Sequence, residues 1–200
     1  MGTNRLEAFS DGVLAIIITI TVLELRPPHG TDLAALWSLR SIFFSYVLSF
    51  VYVGIYWSNH HHMLHVTERV TGGILWANLA LLFWLSLFPF AAGWMGGSDF
   101  AALPTATYGF VLLLAGLAYY VLERTVIREE GGESLLATAV GQDRKGRVSL
   151  VLYAVSIPLA FASPVVSNVL FVAVAAMWLV PDRRIERALG ARQRAGDGGD

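Results

Sequence analysis

The sequence predicts an all-α polytopic membrane protein with six transmembrane helices, and three features carry that prediction. Apolar runs recur at lengths near 20 residues, which a helix rising ~1.5 Å per residue needs to cross a ~30 Å hydrocarbon core. Hydrophobic residues make up 56% of the 200-residue chain and charged residues 14%, with a mean hydropathy of +0.59. The basic residues also segregate between the loops that alternate along the chain, although the net charge is only -1.

The first span runs from Arg5 to Leu25 and carries Glu7, Ser10, Asp11, Thr19, Thr21 and Glu24. Ionisable groups in a span are expensive and point by default to a functional site. At roughly 100° per residue, Gly12, Ile16, Thr19 and Leu23 fall on one narrow stripe with Ile20 at its edge, while Ser10 and Asp11 point away from it. Arg26, Pro27, Pro28, His29 and Gly30 end this helix, because proline cannot donate to the ladder and glycine favours a turn. The span starts almost at Met1 and has no small-residue cleavage site behind it, so it is expected to remain in place.

After a loop to about Ala35, the second span is expected from Leu36 to Trp57, with Trp37 and Trp57 as interfacial anchors. It ends in the polar run Ser58, Asn59, His60, His61, His62. A third span is expected over Ile74 to Trp94, broken near its end by Pro89, and a fourth over Thr105 to Leu122 after a loop from Gly96 to Pro104. The charged, glycine-containing segment from Glu123 to Arg147 reads as a loop with a short amphipathic helix around Ser134 to Val140. From Val148 to Val180 the apolar run is too long for one span. Pro158, Ser163, Pro164, Ser167 and Asn168 mark a turn near its middle, which gives short fifth and sixth spans. Residues 1–181 thus form one transmembrane domain, and residues 182–200 a basic, disordered tail.

With the N-terminus inside, Arg5, Arg69, Arg124, Arg128, Arg144, Lys145, Arg147, Arg183, Arg184, Arg187, Arg192 and Arg194 lie on the cytoplasmic side. Only Arg26 and Arg40 of the 14 basic residues lie outside. The positive-inside rule therefore places both termini in the cytoplasm. Zero cysteines exclude disulfides and thiolate sites. His61 and His65 share a helical face, but no carboxylate sits between them in an H-E-x-x-H pattern, and structural or pH-sensing roles outweigh a metal site. Ser10, Asp11 and a histidine lack the glycine pattern of a nucleophile elbow, so no enzyme is expected. The basic tail suits anionic lipid and not nucleic acid.

Arg5, Phe9, Ser10 and Asp11 spell R-x-x-x-F-S-D at the start of the first helix, followed by WSNHHHML from Trp57 and ILWANLALLFWLSLFPF from Ile74. This succession resembles the lysosomal transmembrane potassium channels and their bacterial homologues, from Arg5 to about Phe90. The resemblance implies a potassium-selective cation channel in the cell membrane, with permeant K+ and no cofactor. Family members with two copies of the unit are doubled versions of this chain, so a one-copy chain implies a homotetramer around a pore lined by the first helix.

Spacing alone reads Ile16, Thr19 and Leu23 as ordinary packing or lipid contact. The resemblance makes Ile16 and Leu23 the pore constriction and gate, with Ile20 a less central aliphatic position and Thr19 the selectivity residue. For Ser10 and Asp11 a satisfied structural network outweighs ion binding. Arg5, His60, His61, Asn78 and Trp76 are the available partners, and Phe9 and Trp57 complete the motif network. No T-V-G-Y-G run exists, which excludes a carbonyl filter of that kind. The competing classes are a proton-coupled or other secondary transporter, which would usually show inverted repeats or interrupted helices, and a non-conducting scaffold.

Overall fold

A computed structural model describes residues 2–131, 136 and 143–179, and every described element is helical. Helix α1 (Thr3–Thr21) tightens into a 3₁₀ turn at Val22–Glu24. A short α2 (Leu33–Trp37) follows, capped by Asp32, whose carboxylate accepts from the Ala35 N–H at 2.8 Å. Then come α3 (Arg40–His65), α4 (Gly72–Ser86), α5 (Phe88–Gly97), α6 (Ala102–Glu130), α7 (Arg144–Ala162) and α8 (Pro164–Leu179). The expected helix around Ser134 to Val140 and the expected tail over 182–200 lie outside the described residues.

Among the described residues, five segments are long and apolar enough to cross a membrane: Thr3–Glu24, Arg40–His65, Gly72–Gly97, Ala102–Glu130 and Arg144–Ala162. The expected sixth span is α8, which has 16 described residues, or about 24 Å at the helical rise.

The helix boundaries differ from the sequence expectation where polar and charged residues predict a loop. Leu36 and Trp37 belong to α2, not to the second span, and α3 continues through His60, His61 and His62 to His65. Nothing in that run breaks a helix, and His62 and His65 in the last turn sit favourably at the negative end of the helix dipole. Likewise α6 continues through the charged residues to Glu130 and stops only at Gly131, whose φ of 95° lies where glycine is at ease. Gly146 lies inside α7, and its N–H is taken by the Asp143 cap at 2.9 Å. Pro158 is accommodated within α7, so the turn is made at Ser163 and Pro164 alone. The break between α4 and α5 falls just ahead of Pro89, which sits in the first turn of α5, where a missing N–H costs least.

Helix α1 packs against α3, α4 and α5; α6 packs against α4, α5, α7 and α8. The core between them is led by Leu14, Tyr52, Leu81, Phe88, Tyr108, Leu112 and Phe171, all under 2% exposed. Hydroxyls stitch the same region: Ser49 and Tyr108 meet at 3.0 Å, Tyr52 donates to the Phe171 carbonyl at 2.7 Å, and Ser167 donates to the Ser156 carbonyl at 2.8 Å. Polar groups in hydrocarbon have no water to turn to, so such internal bonds hold the helices in register.

Candidate functional site

Helix α1 has two unlike faces. Leu6, Ser10, Leu14, Ile17 and Thr21, spaced three or four residues apart, are buried against the bundle. The opposite face is open. Ile16 is 57% exposed, Leu23 73% and Ile20 44%, and Gly12, Ala15 and Thr19 are exposed beside them. The Thr19 hydroxyl donates back into its own helix, to the carbonyls of Ile16 at 2.9 Å and Ala15 at 3.1 Å. Its hydrogen is thereby occupied, and what the oxygen offers outward is lone pairs, a property suited to a cation.

At the N-terminal end of α1 a polar cluster joins three helices. The fully buried Ser10 donates to the Leu6 carbonyl at 2.9 Å and accepts from Asn78 Nδ2 at 3.0 Å. Asn78 Oδ1 meets His60 Nε2 at 2.7 Å. With the amide oxygen as acceptor, the Nε2 atom of His60 carries the hydrogen. His60 Nδ1 is buried and has no partner among the described residues.

A second pair of contacts runs beside this chain of bonds. Asp11 Oδ1 accepts from Trp57 Nε1 at 3.0 Å, and Glu7 Oε1 meets His61 Nδ1 at 2.7 Å. The His61 ring stacks between Trp57 and His65, with centroids 6.4 and 6.0 Å apart. One turn of α1, from Glu7 to Asp11, is thus bonded to one turn of α3, from Trp57 to His61.

Three expected participants are absent from this arrangement. Arg5 is exposed and forms no ion pair with Asp11 among the described residues. It lies seven residues before Gly12 and so on the open stripe, whereas Asp11 lies about 100° round the helix. Trp76 is 76% exposed and makes none of these bonds, and Phe9 is 52% exposed, pointing away from the bundle. Glu7 is the participant that sequence reasoning left out of the network. Its signal was its spacing, one turn before Asp11 and on the same face. Among the described residues no three His, Asp or Glu side chains converge as a metal site would need.

The family model for the endosomal/lysosomal potassium channel TMEM175 matches residues 5–89, the stretch that contains α1, α3 and α4. A potassium channel from a Chryseobacterium species is 50% identical over 189 residues, covering 94% of this chain and 98% of that protein. The human endosomal/lysosomal proton channel TMEM175 is 33% identical over 96 residues, which are 42% of this chain and 19% of the human protein. The crystal structure of a lysosomal potassium-selective channel TMEM175 homologue from Chamaesiphon minutus superposes with a TM-score of 0.79 at 25% identity, covering 90% of this chain and 97% of that one.

Proposed function

This chain belongs to the TMEM175 channel family, and from that premise we propose that it is a potassium-selective cation channel of the cell membrane, a homotetramer whose pore is lined by α1. The observation that carries the reading is the division of α1 into a packed face and an open one. The open face bears bulky aliphatic residues and a single hydroxyl, in an order that suits a constriction: Ile16, then Thr19, then Leu23. Four copies around an axis would form two aliphatic rings with a ring of hydroxyl oxygens between them. Aliphatic rings gate by excluding water, and the oxygens replace part of a potassium ion's hydration shell. Ile20, at the stripe's edge, would pack against the neighbouring pore helix as readily as against the ion path.

The same reading makes α8 the sixth span and puts both termini in the cytoplasm, in accord with the positive-inside distribution of the basic residues. The Ser10, Asn78 and His60 chain and the Asp11 to Trp57 bond would then lie at the cytoplasmic end, holding α1 at a fixed rotation so that the stripe faces the axis.

Potassium flux into liposomes containing the purified protein tests the function. A channel gives a flux that does not saturate with ion concentration as a carrier's does, and a saturating, proton-coupled flux would favour the transporter reading. Because the animal relatives bear the name of proton channels, the same liposomes should be loaded with a pH-sensitive dye, to learn whether protons follow the same route.

A further inference from the structure

Away from α1, helices α3, α6, α7 and α8 line a cavity that is open on one side. Six aromatic rings line it, those of Tyr52, Tyr56, Tyr119, Tyr120, Tyr153 and Trp178, and the Asp143 carboxylate stands among them. We propose that this cavity binds an organic ammonium group, either a free small amine such as a choline-like cation or the headgroup of a zwitterionic lipid.

Three observations carry the proposal. The rings are braced edge to face, Tyr52 against Tyr153 at 6.2 Å and Tyr56 against Tyr119 at 6.0 Å, so that the cavity is walled by fixed aromatic surfaces. Aromatic walls attract cations through the ring quadrupole, and cages of this composition suit alkylated ammonium, which sheds water cheaply. Two rings of this set already attract cations of the chain itself: Arg124 Cζ lies 5.1 Å from the Tyr120 centroid and Lys145 Nζ 5.9 Å from that of Trp178.

The acid is also held in place. Asp143 Oδ1 is committed to the Gly146 N–H at 2.9 Å as the cap of α7, which fixes the carboxylate beside the rings. Two glycines let the walls approach closely: a Cβ on Gly146 would collide with the Asp143 carboxylate, and a Cβ on Gly116 of α6 would lie 3.0 Å from Leu150 Cδ2 on α7 and 3.7 Å from Tyr56 Oη. A single carboxylate in an aromatic enclosure, with no cluster of metal ligands beside it among the described residues, fits a soft organic cation better than a bare inorganic one.

The test titrates the purified full-length protein with choline chloride and, separately, with 3,3-dimethylbutan-1-ol, its uncharged isostere. Tryptophan fluorescence and the thermal unfolding midpoint are read in both series. Choline should give a saturable response, at least about tenfold weaker for the alcohol and for Asp143→Asn, which keeps the cap acceptor and removes the charge. Gly116→Ala should weaken choline binding with unchanged elution on size exclusion. No saturable response to choline in the wild type, or equal affinity for the alcohol, overturns the proposal.

Native mass spectrometry after reconstitution distinguishes the sources. Retention of phosphatidylcholine over phosphatidylglycerol, lost in Asp143→Asn, assigns the site to a lipid headgroup, and choline binding without lipid preference assigns it to a soluble amine. Neither measurement depends on ion flux, so its failure leaves the channel reading standing.

Discussion

Asn78 on α4 donates to the Ser10 hydroxyl on α1 across 3.0 Å, and neither side chain is exposed to solvent at all. The amide's other end is committed to His60 on α3, so one side chain ties three helices at one depth. A buried polar group that loses its partner costs its full desolvation, about 1–3 kcal/mol. Asn78→Ala strands both Ser10 and the His60 N–H, and should lower the thermal midpoint and the yield of assembled protein on fluorescence-detected size exclusion. Ser10→Ala, which leaves one unmet donor, should cost less.

The bond from Trp57 to Asp11 predicts coupled mutants. In a double-mutant cycle, Asp11→Ala and Trp57→Phe should each destabilise, and the double mutant should fall short of their sum by about 1 kcal/mol, because the second change removes a bond the first has already broken. Strict additivity in thermal unfolding would show that the two groups do not depend on one another. Arg5→Ala, a change at an exposed side chain, should be milder than Asp11→Ala.

Ile16 is the test of the gate. Ile16→Asn puts a polar group at the aliphatic ring and should hydrate it, raising single-channel conductance in planar bilayers severalfold. An unchanged current from a correctly assembled protein would remove Ile16 from the constriction and shift attention to Leu23.

Thr19 separates selectivity from gating. Thr19→Val preserves the shape of the side chain and deletes the oxygen whose lone pairs face outward from the helix. The potassium-to-sodium permeability ratio from reversal potentials should fall, while conductance changes little, because potassium, the more cheaply dehydrated ion, gains most from a few oxygens. A full ratio in this variant would place selectivity in pore diameter.

The reading from sequence reached the membrane class, the first span and the break ahead of Pro89, because the length of an apolar run and the chemistry of proline act locally along the chain. It stopped α3 and α6 too early, at Trp57 and Leu122, because it took histidines and charges as loop signals. Those residues form helix as well as most others, and only Val66 and Gly131 end the two helices. The two faces of α1 were also legible, since a period of 3.6 residues is written in the sequence itself.

Which polar group meets which could not be read in that way. Asp11 had Arg5, His60, His61, Asn78 and Trp76 within reach of a plausible topology, and the structure pairs it with Trp57 instead, leaving Asn78 to Ser10 and His61 to Glu7. The choice depends on the rotation of α1 about its own axis relative to α3 and α4, an angle that the packing of Leu6, Leu14 and Ile17 sets across the whole interface. Periodicity therefore determined that α1 would carry an apolar stripe with one hydroxyl on it, set apart from a polar pair at its N-terminal end. Only the packed bundle decided the partners, because a hydrogen bond tolerates a few tenths of an ångström, and no local property of a sequence fixes two helices to that precision.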